Sequence, residues 1–342
     1  MSTPATFPAI SDANQEAARF QRVYHDVKAQ IGRMMVGQDE VIDGVMTALL
    51  AGGHVLLEGV PGLGKTLLVR TLANAVDARF SRIQFTPDMM PADIQGTSIL
   101  MENERGQHEL RFQEGPLVSN LVLADEINRA TPKTQSALLE AMQERQISVG
   151  RRTIKLEEPF CVLATQNPVE QEGTYPLPEA QLDRFLFKLV VGYPREEDYA
   201  SILDRTTGDT EAKIEPATNG AEIVRLRHVV RAVPVPAHAK RYAVHLVMGT
   251  QPGSPYAPEK VNSCVALGSS PRGAQALLLA AKVKALIRGR FAVSVADIKE
   301  IALPVLRHRV LINFHGQSEG VTDDAIVREV LAKVPMPNEP AQ

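Results

Sequence analysis

Cysteine is scarce in this chain, with two in 342 residues, Cys161 and Cys264, far apart in sequence. That excludes a disulfide-stapled scaffold. Cys161 also lies inside the apolar run Pro159–Ala164, which predicts a buried, reduced thiol and fits a reducing compartment. No apolar run approaches the ~18 residues of a membrane span, and no charged leader followed by an apolar stretch opens the chain, so a cytoplasmic protein without membrane insertion is expected. Charge of one sign is missing too: 37 basic against 40 acidic residues leave a formal net charge of −3. The chain as a whole does not attract nucleic acid or anionic lipid, and only a local basic patch could bind DNA. Internal repeats and low-complexity segments are absent. What remains is a chain with 44% hydrophobic residues, long enough for two domains with a core in each.

Short apolar runs alternate with helix-like patterns through the first half. The spacing of Ala17, Phe20, Val23, Val27 and Ile31 predicts a helix over 12–33 capped by Ser11, and a second helix follows over 39–50. Strands are expected at 54–58, 79–85, 117–124, 160–165 and 185–191, with helices at 132–144 and near Glu179. Strands alternating with helices predict a parallel sheet with crossover helices. After Val191 the short apolar runs stop, and amphipathic patterns at 222–233, 238–248 and 272–290 predict a separate helical domain joined at Gly192–Pro194. The expected division is an N-terminal tail (1–14), an α/β core (15–192), a helical domain (195–335) and a Pro-rich tail (336–342).

The chemistry is concentrated at Gly59-Val60-Pro61-Gly62-Leu63-Gly64-Lys65-Thr66, a G-x-x-x-x-G-K-[ST] phosphate loop between the strand at His54–Glu58 and a helix-favouring stretch. Glycines let backbone N–H groups turn inward and approach phosphates closely. Lys65 is then expected to reach the β- and γ-phosphates of ATP and Thr66 to hold Mg²⁺. The apolar segment Asn120–Ala124 ends in two acids: Asp125 can hold Mg²⁺ through water, and Glu126 can polarise the attacking water. A third strand, Val162–Thr165, ends in Gln166-Asn167. If it neighbours the phosphate loop, its carboxyl end reaches the same crevice, where Asn167 can orient that water.

Together these residues resemble the AAA+ ATPases, and the resemblance covers about residues 15–335. Val36-Gly37-Gln38 is similar to the adenine-side entry motif, 59–66 to Walker A, 120–126 to Walker B, and Asn167 to the first sensor. Gln181-Leu-Asp-Arg-Phe185 is similar to the segment carrying the arginine finger, and Ser270-Pro-Arg-Gly273 to the second-sensor helix of the lid. The match narrows to the MoxR family through Gly59–Gly62, Ala124–Ala130, Ala164–Pro168, Tyr175–Ala180 and Ser270–Arg272. The resemblance implies an AAA+ phosphate-loop core with a small helical lid and a ring, usually a hexamer, with nucleotide between subunits. Arg184 would act in the neighbour's site and Arg272 in cis from the lid, with Arg129 a second candidate for the interface. It also implies remodelling or maturation of a client enzyme with a von Willebrand A-domain partner.

Two inserts are expected. One spans Asp93–Gly115, with apolar strands around a polar turn at 102–107, and resembles a helix-2 insert. The other, Arg145–Leu156, alternates Ile147, Val149, Ile154 and Leu156 with polar residues around Gly150-Arg151, a hairpin that resembles the pre-sensor-1 element. Arg145, Arg151, Arg152 and Lys155 could touch DNA, yet no aromatic is interleaved for base stacking, so a solvated or partner-facing hairpin is expected. The eight histidines are scattered. His238 and His245 share a helical face, and no metal-ligand spacing emerges. A metal-chelatase ATPase subunit, a DNA-dependent motor and a scaffold whose ATP only sets ring assembly remain as alternatives.

Overall fold

In a computed structural model the described residues are 10–102, 108–150, 152–167, 174–207 and 213–336. Amphipathic spacing builds α1 (Ile10–Met34) and α2 (Asp39–Ala51), and the first apolar run becomes β1 (Val55–Glu58). α3 (Lys65–Ala75), β2 (Phe80–Gln84) and α4 (Pro91–Gln95) follow, then the strands β3 (Gly96–Glu102) and β4 (His108–Glu114). The chain continues through β5 (Leu121–Asp125), α5 (Pro132–Glu144), β6 (Gln146–Val149), β7 (Arg152–Lys155), β8 (Cys161–Gln166), α6 (Glu179–Leu182), β9 (Phe187–Val190) and α7 (Glu196–Thr206). Beyond it lie α8 (Gly220–Ala232), α9 (Ala237–Gly249), α10 (Glu259–Cys264), β10 (Val265–Leu267), α11 (Pro271–Ile287), α12 (Val295–Leu306), β11 (Leu311–Ile312), α13 (Phe314–Ser318) and α14 (Asp323–Lys333).

The main sheet has five strands in the order β2-β5-β8-β1-β9, all parallel. Its strands read as continuous apolar runs because both faces are covered. Leu56, Val122, Ala124, Val162 and Ala164 join α5 in one apolar layer. Their neighbours Val55, Leu57, Leu121, Leu123 and Leu163 face the other, which runs without a break through α1, α2 and α3 into the helices beyond residue 220. A parallel sheet delivers all its carboxyl ends to one edge, and the site is built there.

Both expected inserts are hairpins. β3 and β4 pair from Gly96↔Glu114 to Glu102↔His108, and β6 and β7 pair through Ile147↔Ile154. The turn residues 103–107 and Arg151 lie outside the described residues, as do the expected terminal tails at 1–9 and 337–342 and Pro168.

Three local expectations are corrected. α1 begins at Ile10, so Ser11 lies within the helix instead of capping it, and residues 10–14 are helix instead of tail; helix ends move by a residue or two when neighbouring turns accept them. The strand expected from Leu117 starts at Leu121. Leu117 is fully buried all the same, in a turn held by its own N–H on the Ile94 carbonyl (3.0 Å) and by the Asn120 N–H on the Arg79 carbonyl (3.1 Å). Burial alone therefore mimics a strand signal. α7 went unread because its acidic first turn looks like a linker. Asp198 caps it by accepting the Arg195 N–H at 3.2 Å.

Candidate active site

The phosphate loop connects β1 to α3. Gly64 adopts φ 77° as the residue from which α3 starts, a left-handed conformation that favours glycine. Gly59 passes so close to β9 that a Cβ there would stand 2.5 Å from the Val191 carbonyl oxygen. The loop encloses a cavity of about 450 Å³ lined by Gly59, Pro61, Gly62, Gly64, Lys65 and Thr66, within the ~300–1,000 Å³ of small-molecule sites. Lys65 Nζ donates to the carbonyls of Gly59 (2.6 Å) and Val60 (3.1 Å), spanning the loop. Burial lowers the pKa of this ammonium, and the nearby Asp125 and Glu126 oppose that shift. Leu63 turns away and packs on the apolar layer.

The acids enter the same cavity from β5, and Asn167 enters from the end of β8, two neighbouring strands of the sheet. Asp125 Oδ1 accepts the Thr165 hydroxyl at 2.6 Å, and the Thr165 oxygen accepts the Glu126 N–H at 2.8 Å. Thr165 therefore ties the two acids to β8. Glu126 has φ 56°, a conformation that costs a non-glycine residue of order 1 kcal/mol or more and recurs at functional turns. Its carboxylate accepts Arg129 Nη1 at 2.9 Å. Arg129, a candidate for the interface, is thus paired within its own chain.

Arg82 and Gln84 also line the cavity. Asp125 Oδ2 accepts Arg82 Nη2 at 2.7 Å and Nε at 3.2 Å. Neither Arg82 nor Thr165 was expected as a site residue. The signal for Arg82 was available: it stands two residues from Gln84 in an expected strand, so both polar side chains share one face. Thr165 gave no signal, since its role exists only once β8 and β5 are neighbours.

The other expected site residues stand apart from this cavity. Val36 and Gly37 do not line it; Gly37 (φ +67°) packs where a Cβ would meet Asp198 Oδ2 at 2.8 Å. Arg184 lies by a separate cleft of about 200 Å³ with Gln143, Glu144 and Gln181. It donates from Nη1 to the Leu139 carbonyl at 2.9 Å, and its buried Nε has no acceptor among the described residues. Arg272, half exposed, stands 3.8 Å from Asp183 Oδ2. Asp183 also accepts the Ser270 hydroxyl at 2.9 Å and Nε of the buried Arg309 at 2.8 Å, an arginine that sequence reasoning missed. The fold also sets one of the histidines beside Cys264. It brings Cys264, His315 and Glu319 within 4.8 Å of one another, although Cys264 is buried and His315 and Glu319 form an exposed i,i+4 pair at 3.3 Å.

The donor set fits a nucleoside triphosphate with a divalent metal: loop amides and Lys65 for phosphate oxygens, the Thr66 hydroxyl and the Asp125 carboxylate as hard oxygen ligands for Mg²⁺.

Comparison with known proteins agrees with this chemistry. Residues 54–187 match the ATPase family associated with various cellular activities (AAA), and residues 258–330 match the AAA lid domain. Chaperone MoxR1 of Mycobacterium tuberculosis is 43% identical over 322 residues, covering 94% of this chain and 83% of that protein. Protein MoxR of Methylorubrum extorquens is 31% identical over 346 residues, covering 96% and 97%. The crystal structure of a candidate ATPase from Cytophaga hutchinsonii is 39% identical and superposes with a TM-score of 0.89 over 96% of this chain and 99% of that one.

Proposed function

This chain belongs to the MoxR family of AAA+ ATPases, and from that premise we propose that it hydrolyses ATP with Mg²⁺ in a hexameric ring to remodel or mature a client protein. The observation that carries the reading is the convergence of Lys65, Thr66, Asp125, Glu126 and Asn167 on one cavity from three parallel strand ends. Lys65 binds the phosphates, Thr66 and Asp125 hold the metal, Glu126 takes a proton from the attacking water, and Asn167 orients it. The metal supplies charge neutralisation of the phosphates.

In this reading the ATPase core (15–192) and the lid (195–335) hinge at Gly192–Pro194, with Val36 and Gly37 on the adenine side. Arg184, outside its own chain's cavity, supports a role in the neighbour's site. Arg272 reports nucleotide state from the lid, held by Asp183 until the lid moves. The partner is a von Willebrand A-domain protein together with the client enzyme, in the cytoplasm, and nucleic acid has no part. Among the described residues no helix is long and apolar enough to cross a membrane.

The test is turnover by purified protein with its Lys65→Ala and Glu126→Gln variants. The first is expected to lose nucleotide binding, the second to bind ATP and stall before hydrolysis. Retained turnover in either would sink the assignment. Capture with ATP-loaded Glu126→Gln protein from nuclease-treated native lysate, with Lys65→Ala as control, then identifies the client. Recovery of a von Willebrand A-domain protein with an enzyme supports the remodelling role, whereas chelatase subunits, or binding that depends on DNA, overturn it.

A further inference from the structure

We infer that Arg82 is a positioning residue that competes with the divalent metal for Asp125, so that metal binding and release of the Arg82 guanidinium are one event; this rests on the ATPase reading above. The register explains why Arg82 reaches this acid. β2 lies beside β5 with Gln84 opposite Asp125 and Arg82 opposite Leu123. Arg82 is thus one pleat behind Gln84 on the same face, and its long side chain extends forward past Gln84 to the acid. Nη2 donates to Gln84 Oε1 at 2.7 Å and to Asp125 Oδ2 at 2.7 Å, and Nε donates to the same Oδ2 at 3.2 Å. The guanidinium is therefore held by two strands at once.

Both oxygens of Asp125 are engaged by the protein, Oδ1 by the Thr165 hydroxyl and Oδ2 by Arg82. The Thr165 bond fixes the carboxylate and carries no charge. The Arg82 bond is ionic, on the oxygen that the Thr165 hydroxyl leaves open. A divalent ion beside Asp125 repels the guanidinium at short range, and the two cations cannot share that oxygen at full strength. The Arg82 side chain is 48% exposed against 15% for Asp125. The arginine can therefore swing into the cavity or toward water while the acid stays in place. Two favourable destinations exist for the released fork: Gln84 still offers an acceptor, and phosphate oxygens in the cavity match a guanidinium geometrically. By linkage, whatever the Arg82–Asp125 pair contributes to the metal-free site is subtracted from metal affinity.

The experiment measures binding, not turnover. A fluorescent, non-hydrolysable ATP analogue (mant-AMPPNP) is titrated into the full-length protein with EDTA and with excess Mg²⁺, and the ratio of the two Kd values gives the Mg²⁺ enhancement. In Arg82→Met the enhancement is expected to rise about one-and-a-half- to fivefold, the scale of one partly exposed ion pair removed from the competition. Arg82→Lys, which keeps the charge, is expected to return toward the parent ratio. Asp125→Asn and Arg82→Met/Asp125→Asn are expected to share one low ratio, because the contested acid is gone. An unchanged ratio in Arg82→Met overturns the competition, and a lower one does so by showing that Arg82 assists the metal. If the unmodified protein fails to bind the analogue, or binds it without regard to Mg²⁺, the parent ATPase reading fails first and takes this role with it. Mg²⁺-dependent binding with an unmoved ratio overturns the Arg82 role alone.

Discussion

Arg309 and Asp183 join the lid to the segment that carries Arg184, and the strength of that joint can be worked from its contacts. The Arg309 side chain is 3% exposed and that of Asp183 18%. Besides its bond to Asp183 Oδ1, Arg309 donates to the carbonyl oxygens of Phe185 (2.6 Å), Asp183 (3.2 Å) and Leu186 (3.3 Å), and to that of Val305. Burial lowers the pKa of the guanidinium, and the Asp183 carboxylate opposes the shift. Asp183→Asn keeps the shape and removes the countercharge, leaving a buried cation among carbonyl dipoles. Removing one partner of a buried pair costs about 3–5 kcal/mol. The lower end applies to Asp183, which retains some contact with water. Arg309→Met removes the guanidinium from four carbonyls, of which that of Phe185 keeps the His308 ring at 3.0 Å, and leaves Asp183 with Ser270 and the more distant Arg272, at a similar cost of about 3 kcal/mol. Because each single change leaves the other charge uncompensated, the double variant is expected to lose about 2 kcal/mol less than the sum of the singles. Urea unfolding followed by far-UV circular dichroism and by tyrosine fluorescence, with coincident transitions, measures all four corners of the cycle. Additivity within about 0.5 kcal/mol would refute the coupling and make Arg309 a packing residue only.

Stability is expected to fall in mild acid. His54 donates from Nε2 to the Met142 carbonyl (3.0 Å) and accepts the Val162 N–H on Nδ1 (2.9 Å), and burial lowers its pKa from 6.5 to about 4. Below about pH 6.5 the unfolded chain takes up a proton that the native histidine refuses, so unfolding free energy drops as pH falls from there toward 4, by up to ~1.4 kcal/mol per pH unit for this group. His308, also lowered well below its usual value by burial and by the charge of Arg309, adds a second proton to the slope; denaturant midpoints at pH 7.5, 6 and 5 measure it, and His54→Gln should flatten it by one proton. Gly59→Ala would drive a Cβ to 2.5 Å from the Val191 carbonyl; a loss of about 1–3 kcal/mol and weaker analogue binding are expected, and wild-type values in both assays would refute the close-approach argument. Cys161 is fully buried with its thiol pKa raised by burial to about 11, so labelling by a thiol reagent at pH 8 should require unfolding; rapid modification of native protein would contradict the structure. Arg184→Ala is expected to lose turnover and to regain it when mixed with Lys65→Ala subunits; failure with assembly preserved argues against action in the neighbour's site.

The phosphate loop, the acids at Asp125–Glu126 and the amide at Asn167 were legible in the chain because each is a contiguous segment whose local conformation does its work. A Gly-rich turn before a helix, or a polar residue closing an apolar strand, can be read without knowing what lies beside it. The alternation of strands and helices gave the sheet for the same reason, and a buried parallel strand writes its burial into consecutive apolar residues. Juxtaposition was decided by tertiary structure alone. The strand order put β8 between β5 and β1, which made Thr165 the tie between the acids, and the register of β2 against β5 set Arg82 on Asp125. Docking of the lid chose Arg309 and Ser270 as partners of Asp183, more than eighty residues away in sequence. Charge and hydrogen-bonding groups act through space over a few ångströms, and sequence order says nothing of which distant residue fills those few ångströms until packing of the apolar layers brings the segments together.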